Sequence, residues 1–407
     1  MSFKELTVKR QSGKDLKMYK IKLLNNVQSP RLDLFDSSKY EVSAEVNNPD
    51  WMILRSAKLH DMEFNKELLC IARAGAGVNN IPIDRCAKEG IAVFNTPGAN
   101  AEAVKELVLC GLLISSRDII SGIEWVKSIA DKGDEIPTLV EKQKAQYAGP
   151  ELMGKTLGII GLGAIGAKIA ETALALGMNV LGYDPYLSVQ AAWLLSSKVE
   201  YADDLDKIFK NSDYISINIP YMEETKHFVN KDTISKMKPG VKIINAARAE
   251  LVNDDDIIAA LEAGQVMMYV TDFPNAKTVG VNGIITIPHL GASTPESEDN
   301  CVRMAAQEII EYIENGNILN SVNLPAATLP RIAGDPRVCI IHDNVPEMIA
   351  KITSAVSSFG ANIENMLNAG NKGNNTAYTM LDVVEIPEGL VDAIVEIEGV
   401  IRVRTIA

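Results

Sequence analysis

The segment KTLGIIGLGAIGAKIAETALALGMNVLGYDPY, residues 155–186, constrains the fold more than any other part of the chain. The apolar run TLGII predicts a buried strand. It is followed by the pattern G-x-G-x-x-G at Gly161, Gly163 and Gly166, then by a helical stretch and a second strand that ends at Asp184. In such a unit the first glycine permits a tight turn, the second lets the backbone approach a ligand closely, and the third lets helix and strand pack together. The pattern therefore predicts a strand–turn–helix–strand unit within a doubly wound α/β fold.

The same unit has the features of a dinucleotide-binding site. The helix N-terminus that follows the glycines offers unpaired N–H groups and the positive end of the helix dipole to a pyrophosphate. Asp184 can accept hydrogen bonds from both ribose hydroxyls and would repel a 2′-phosphate, so the sequence favours NAD over NADP. The alternative is a glycine turn in a doubly wound fold that binds no nucleotide.

Composition narrows the class of protein. A chain of 407 residues is long enough for two to four domains. A net charge of −13 disfavours a broad nucleic-acid-binding surface, and no apolar run reaches the ~18 residues of a membrane span. The N-terminus has no apolar stretch typical of a secretory signal, so a cytoplasmic location is expected. The five cysteines are widely spaced, include no C-x-x-C pair, and are expected to be buried in a reducing compartment: Cys70, Cys86, Cys110, Cys301 and Cys339.

Strand-like and helical segments alternate along the first 290 residues or so, which predicts parallel sheets with helices on both faces. The long apolar pattern at 101–120 indicates a helix packed against another domain. A further helix is predicted from about Pro295 to Gly316. The three prolines in residues 323–336 indicate a linker without regular structure.

Two polar side chains follow later strands of the predicted cofactor sheet. Arg248 comes just after KIIN, and His289 just after GIITIP. Ligands of open parallel sheets bind at the carboxyl ends of the strands, so both side chains should reach one crevice. Arginine can orient and polarise an α-keto acid, and histidine can take or give the hydroxyl proton as a hydride moves. If each residue is considered by itself, the alternative is that Arg248 is a surface arginine and that His289 is a histidine packed in a loop.

Six motifs in sequence order, RAGAGVNNI, FNTPGANAEAVKELVL, GIIGLGAIG, YDPY, NAARAELV and PHLGAST, resemble the D-isomer-specific 2-hydroxyacid dehydrogenases, and among them the phosphoglycerate dehydrogenases. The resemblance implies a flavodoxin-like substrate domain at 1–98 and 296–330, interrupted by a Rossmann-type NAD domain at 99–295. It implies that Arg248 binds substrate, that His289 is the acid/base, and that backbone amides near Ala76 and Gly77 hold the substrate carboxylate. The cofactor positions that it implies are Gly161, Gly163, Ala164, Ile165, Gly166, Asp184, Pro220, Thr225, Ala247, Asp272 and Gly291.

One position departs from the family. Members usually carry a glutamate that orients the catalytic imidazole, whereas this chain has Asn275 and Ala276 there. Asp272 is the nearby carboxylate, so it is a candidate catalytic residue that replaces the glutamate; the alternative is that it contacts the nicotinamide amide. A histidine without a carboxylate partner should have a lower pKa and a less fixed tautomer. The pH optimum of the activity should therefore differ from that of a relative that has the glutamate.

Arg55 and Arg73 follow strands of the first domain and match arginines that bind the phosphate of the substrate in the resembling enzymes. A phosphorylated 2-hydroxy acid is therefore the expected substrate. The alternative for the two arginines is that they are surface residues without this role. The alternatives for the protein are a hydroxypyruvate or glyoxylate reductase and a cofactor-sensing scaffold with little turnover.

Residues 337–407 predict a βαββαβ ferredoxin-like module that resembles the ACT regulatory domain. Asn344 is predicted to cap a helix that has Pro346 in its first turn. The resemblance implies that His342, Asn344 and Asn362 bind L-serine as an effector between two subunits of a homodimer or homotetramer. Glu347 stands where that family usually has glycine. The expected fold is thus α/β, with two doubly wound parallel-sheet domains and a C-terminal ACT domain.

Overall fold

The computed structural model describes residues 7–8, 18–25, 27, 29–331, 334–371, 373 and 375–406. The chain forms two compact units, of which one contains residues 1–99 and 298–407 and the other contains residues 100–297. The second unit has nearly the bounds predicted for the cofactor domain. The first unit contains both the predicted substrate domain and the predicted C-terminal module.

The first chain segment forms a five-stranded sheet with the strand order β3-β2-β4-β5-β6, in which all neighbours are parallel. This is the flavodoxin-like order that the resemblance implied. The strands β4 and β5 are almost entirely buried, as expected for a parallel sheet covered on both faces. The elements are β1 (Thr7–Val8), β2 (Tyr19–Leu23), β3 (Tyr40–Ser43), β4 (Trp51–Leu54), β5 (Cys70–Arg73), α1 (Ile83–Lys88) and β6 (Ala92–Asn95).

The middle segment forms a seven-stranded parallel sheet. Its elements are α2 (Ala101–Ser116), α3 (Ile119–Ser128), α4 (Ile136–Gln143), β7 (Thr156–Ile160), α5 (Ala164–Ala175), β8 (Asn179–Tyr183), α6 (Val189–Leu194), β9 (Glu200–Tyr201), α7 (Leu205–Asn211), β10 (Tyr214–Ile217), α8 (Lys231–Ser235), β11 (Val241–Asn245), α9 (Asp254–Glu262), β12 (Val266–Thr271) and β13 (Ile284–Thr286). The strand order is β13-β12-β11-β10-β7-β8-β9, so the direction of winding reverses between β7 and β10. Ligands of doubly wound sheets bind outside the carboxyl ends of the strands at such a switch point.

The last segment contains α10 (Pro295–Ile310), β14 (Arg337–Asp343), α11 (Met348–Ser358), β15 (Ile363–Asn371), β16 (Thr376–Val383), α12 (Leu390–Val395) and β17 (Val400–Ile406). The four strands after α10 pair antiparallel in the order β17-β14-β16-β15, and β1 adds to β17 in parallel. The predicted βαββαβ order is therefore present, with one extra strand at the edge. The helices α11 and α12 cover one face of this sheet through an apolar cluster that includes Ile340 and Leu381.

One prediction for this segment is wrong, and the structure adds a contact to a second one. Asn344 does not cap α11, because the helix begins at Met348 and the residue before it is Glu347, with a φ of 66°. The described residues of 323–336 form no helix or strand, as predicted, but the start of the segment is anchored. The side chain of Asn323, which is fully buried, accepts from Val93 N–H at 2.8 Å and donates to the Ile91 carbonyl at 2.8 Å.

The other face of the C-terminal sheet packs against the end of α10 within the same unit. The last turn of this helix, Glu311–Asn315, is π-helical, and its carbonyl groups accept hydrogen bonds from arginine side chains. Arg404 donates to the carbonyls of Tyr312 and Ile313, and Arg337 donates to that of Asn315 at 2.6 Å. The final carbonyls of a helix lack partners inside the helix and carry partial negative charge, so arginines stabilise this end.

Among the residues described, four of the cysteines are buried and Cys110 is exposed. None of the helices in the described ranges combines the length and the apolar character that crossing a membrane requires.

Candidate active site

The glycine turn between β7 and α5 has the geometry that its sequence predicts. Gly161 has a φ of +92°, and a Cβ atom there would lie 2.7 Å from the carbonyl oxygen of Asn218. A Cβ atom on Gly166 would lie 2.0 Å from the carbonyl oxygen of Gly161, so only glycine lets α5 pack against the turn. No atom lies within 4 Å of the Cβ position of Gly163, where α5 begins. The space beside the first amides of the helix, at Ala164 and Ile165, is thus open to a pyrophosphate.

Asp184, the residue after β8, holds the glycine turn. Its carboxylate accepts from the backbone N–H of Leu162 and from that of Tyr186, both at 2.9 Å. This negative charge beside the turn fits ribose hydroxyls and disfavours a 2′-phosphate. The residues present therefore fit NAD. The contact with Leu162 is not visible in the sequence, because it depends on how β7 and β8 lie side by side.

The sheet order sets the order of the candidate site residues along one edge. The strands end at the same level, since Ile160 pairs with Ile217, and Asn245 pairs with Thr271. Going across the sheet, the residues that follow these strand ends are Asp184, the glycine turn, Pro220, Ala247 with Arg248, Asp272 and His289.

Thr225 closes the loop that follows β10. Its hydroxyl donates to the Pro220 carbonyl at 3.0 Å and accepts from the Met222 N–H at 2.7 Å. Pro220 itself is exposed at the sheet edge. The predicted cofactor residues Pro220 and Thr225 therefore belong to one hydrogen-bonded turn.

Arg248 and His289 are both exposed at this edge, with β12 between their strands. Neighbouring strands lie about 4.8 Å apart, so the two strand ends are roughly 10 Å from each other. The guanidinium of Arg248 donates to the Ala247 carbonyl at 2.6 Å. The imidazole of His289 contacts the Phe273 ring edge-on at 5.0 Å and makes no hydrogen bond to any described residue. Both side chains keep hydrogen-bonding capacity for a ligand.

Asp272 does not take the place of the missing glutamate in this structure. It is only 2% exposed, and its carboxylate accepts from the N–H groups of Leu290 and Gly291, both at 2.8 Å. Its carbonyl oxygen accepts from the His289 N–H at 3.1 Å. His289 has a φ of 54°, an uncommon conformation for a residue with a side chain, and these three bonds hold the backbone around it. Asp272 thus positions His289 through the main chain rather than through the imidazole.

Arg55 follows β4, and Arg73 is the last residue of the neighbouring strand β5, where it pairs with Leu54. The guanidinium Nε of Arg73 donates to the Arg55 carbonyl at 3.0 Å. Arg55 forms an ion pair with Glu298, in the first turn of α10. The sequence does not reveal this contact, because 243 positions separate the two residues.

The predicted carboxylate-binding residues lie in the loop after β5. Ala76 is exposed, and its carbonyl accepts from the Asn95 side chain at 2.6 Å. Gly77 is half-buried. The N–H of Gly75 donates to the Thr96 hydroxyl at 2.8 Å, which fixes the start of this loop.

The three predicted effector residues differ in accessibility. His342 is 1% exposed, and its ring nitrogens are bonded to the Asp343 carbonyl and the Thr379 hydroxyl, each at 2.8 Å. Burial lowers the pKa of His342. Asn344 and Asn362 are exposed. Only the two asparagines therefore offer their side chains at the surface of this unit.

Residues 112–291 match the model of the NAD-binding domain of the D-isomer-specific 2-hydroxyacid dehydrogenases. The chain is 34% identical over 303 residues to the hydroxypyruvate reductase of Thermotoga maritima, covering 72% of this chain and 92% of that protein. It is 32% identical over 316 residues to the D-3-phosphoglycerate dehydrogenase of Bacillus subtilis, covering 75% of this chain and 58% of that protein. It therefore spans little more than half the length of that relative. The structure is also similar to NAD⁺-bound 3-phosphoglycerate dehydrogenase of Entamoeba histolytica, with a TM-score of 0.58 and 25% identity over 75% of this chain and 98% of that one.

Proposed function

Because this chain belongs to the D-isomer-specific 2-hydroxyacid dehydrogenase family, we propose that it oxidises a 2-hydroxy acid to the 2-keto acid with NAD. The single observation that carries the proposal is the carboxyl edge of the seven-stranded sheet, which brings the glycine turn, Asp184, Arg248 and His289 to one side of one unit. NAD held there would supply the hydride acceptor.

The two exposed side chains supply the remaining chemistry. Neutral His289 takes the proton of the substrate hydroxyl as the C–H bond breaks, and the former hydroxyl carbon becomes a carbonyl. The hydride leaves with its electron pair, so the products are the keto acid, reduced cofactor and a protonated imidazole. Arg248 donates to the carboxylate and the developing carbonyl oxygen, which fixes the substrate and stabilises the charge that moves.

The substrate that we propose is D-3-phosphoglycerate, whose oxidation to 3-phosphohydroxypyruvate begins L-serine biosynthesis. Arg55 and Arg73 support this choice, since two neighbouring strand-end guanidiniums suit a phosphate. The similarity to the Bacillus subtilis enzyme agrees with it.

The second candidate is a hydroxypyruvate or glyoxylate reductase. The relative from Thermotoga maritima favours it, and so does Glu298. This carboxylate neutralises Arg55, and a phosphate would have to displace it.

A spectrophotometric assay with NAD and either D-3-phosphoglycerate or D-glycerate separates these candidates. A phosphate held by arginines should make kcat/KM about 10- to 100-fold higher for phosphoglycerate. Arg55→Ala should remove most of that preference and leave the value for D-glycerate nearly unchanged. Glu298→Gln should lower the KM for phosphoglycerate, because it frees Arg55. Equal rates on both acids would favour the reductase, and no turnover of either would favour a cofactor-sensing scaffold.

We further propose that L-serine inhibits the enzyme by binding at Asn344 and Asn362 between the C-terminal modules of two subunits in a homodimer or homotetramer. The exposure of both side chains supports this. A ligand that bridges two subunits favours one quaternary state, and it inhibits if that state is less active. Asn344→Ala or Asn362→Ala should abolish inhibition by serine with turnover intact. Inhibition that survives both changes would remove the assignment.

A further inference from the structure

A polar cavity lies at the amino edge of the seven-stranded sheet, at the opposite end of the strands from the glycine turn. Its volume is about 170 Å³, and its lining includes Lys155, Asp213, Tyr214, Lys238 and Lys242. Lys155 precedes β7, Asp213 precedes β10, and Lys242 is the second residue of β11. Three neighbouring parallel strands therefore bring three ammonium groups and one carboxylate together. We propose that this cavity binds a small dianionic oxyanion, either inorganic phosphate or the phosphate group of a metabolite.

The charges around the cavity do not balance. Asp213 forms an ion pair with Lys238 and also accepts from the Thr156 N–H at 2.9 Å. Within the described part of the chain, Lys155 and Lys242 have no carboxylate partner and their ammonium groups make no hydrogen bond. Two positive charges thus remain for a ligand.

Lys242 is the most informative of these residues because it is only 9% exposed. Its Nζ lies 4.9 Å from the centre of the Tyr214 ring. The Tyr214 hydroxyl is already bonded to the Ser116 hydroxyl at 2.8 Å, so the ring presents its face rather than its oxygen to the amine. Burial lowers the pKa of Lys242; the charge of Asp213 opposes this shift only in part, and Lys155 adds a smaller lowering. A contact with an aromatic face is weaker than the cost of removing an ammonium from water, so an external anion would stabilise this site.

The size and position of the cavity suit a small ion. A water molecule occupies about 30 Å³ in the liquid, so the cavity has room for a tetrahedral oxyanion with some of its hydration shell. Two free ammonium groups match a doubly charged ion better than a monocarboxylate. Strands of four to five residues separate the amino and carboxyl edges, which is roughly 15 Å, so such an ion would not compete with a dinucleotide at the glycine turn.

The test is thermal unfolding of the whole chain in phosphate and in chloride of equal ionic strength. For the wild type, the unfolding midpoint should rise by roughly 3–5 °C at a phosphate concentration about tenfold above its dissociation constant. Lys242→Met keeps the length of the side chain and removes the charge, so this rise should shrink or vanish. Lys231→Met, which removes an exposed lysine elsewhere in the same unit, should keep the rise of the wild type.

Lys155→Gln provides a second variant in case Lys242→Met folds poorly, and it should also weaken the response to phosphate. Repeating the series with glycerol 3-phosphate tells whether the site takes the free ion or a phosphate ester. A response to either one that both cavity variants lose supports the proposal. Equal responses of the wild type and the two cavity variants, or no response of the wild type to either probe, would overturn it.

Discussion

The carboxyl edge of the seven-stranded sheet and the C-terminal antiparallel sheet contain the same types of polar side chain, but these differ in exposure and in hydrogen bonding. His289 is exposed at the first, and its imidazole has no hydrogen bond to a described residue. His342 lies in the second with 1% exposure, and both of its ring nitrogens are bonded. A histidine whose bonds are satisfied inside the protein cannot readily exchange a proton with a substrate, whereas one with free nitrogens can. Free hydrogen-bonding capacity, rather than residue type, distinguishes a candidate catalytic residue from a structural one.

The arginines of the two regions repeat this contrast. Arg248 is exposed and donates to one backbone carbonyl. Arg337 is fully buried and donates to Asp382 and to the carbonyls of Asn315, Leu329 and Pro330. We expect substitution of the first to change activity and substitution of the second to change stability.

The largest expected effect comes from substituting asparagine for each of the two histidines in turn. His289→Asn should lower kcat by about 10²- to 10⁴-fold, because a general base is lost, while the free energy of unfolding stays close to that of the wild type. His342→Asn should do the reverse. It leaves a buried hydrogen-bond partner unsatisfied, which costs roughly 1–3 kcal/mol of stability, and it should leave kcat unchanged.

Steady-state kinetics and urea unfolding on the same preparations check this pair. The wild-type kcat should depend on pH, because only a neutral imidazole accepts the proton, and His289→Asn should lose this dependence. Comparable losses of kcat in both variants would mean that exposure does not separate their roles.

The next effect concerns the buried ion pair. Arg337→Met leaves the carboxylate of Asp382 buried without its cation, and we expect a loss of about 3–5 kcal/mol in the free energy of unfolding. Arg337→Met combined with Asp382→Leu should recover part of this loss, because no unpaired charge remains. A single variant as unstable as the double variant would show that the backbone contacts of Arg337, rather than the ion pair, carry the stability.

Glu308 extends the comparison to carboxylates. Both carboxylate oxygens of Asp272 accept hydrogen bonds, whereas Oε2 of Glu308 has no partner among the described residues. Burial raises the pKa of Glu308 to about 8 from 4.5. Between these two pH values the unfolded chain releases the proton and the native chain keeps it. Stability therefore falls as the pH rises through that window, by on the order of 3–4 kcal/mol for this group.

Glu308→Gln should flatten this slope, because the amide does not ionise. Urea unfolding at pH 5 and at pH 8 measures the difference. An unchanged slope in the variant would show that other groups cause the pH dependence.

The smallest expected effect is at Glu347. Its φ of 66° is unfavourable for a residue with a Cβ atom, so Glu347→Gly should raise the free energy of unfolding by about 0.5–1 kcal/mol. Glu347→Ala is the matched control, since it removes the carboxylate but keeps the Cβ atom and should give no gain. A gain in both variants would point to the charge rather than the backbone.

Sequence patterns predicted the elements well where local and tertiary preferences agree. The glycine turn, the parallel sheets and the βαββαβ order all follow from periodicity and turn residues. Proline density correctly indicated the absence of regular structure at 323–336, but it did not reveal that the Asn323 side chain bonds to the backbone of Ile91 and Val93. Sequence patterns failed at Asn344, a residue type that caps helices well. Its backbone N–H instead donates to the Asn375 carbonyl at 2.8 Å, and α11 begins only at Met348.

The sequence by itself determined which residue types stand at the strand ends, and so which of them are candidates for chemistry. Only the tertiary structure decided what each side chain still has free. It binds Asp272 to the backbone after His289, pairs Arg55 with Glu298 and encloses His342. The physical reason is that hydrogen bonds and ion pairs are satisfied in space, so a side chain's remaining capacity depends on neighbours that the order of residues does not reveal.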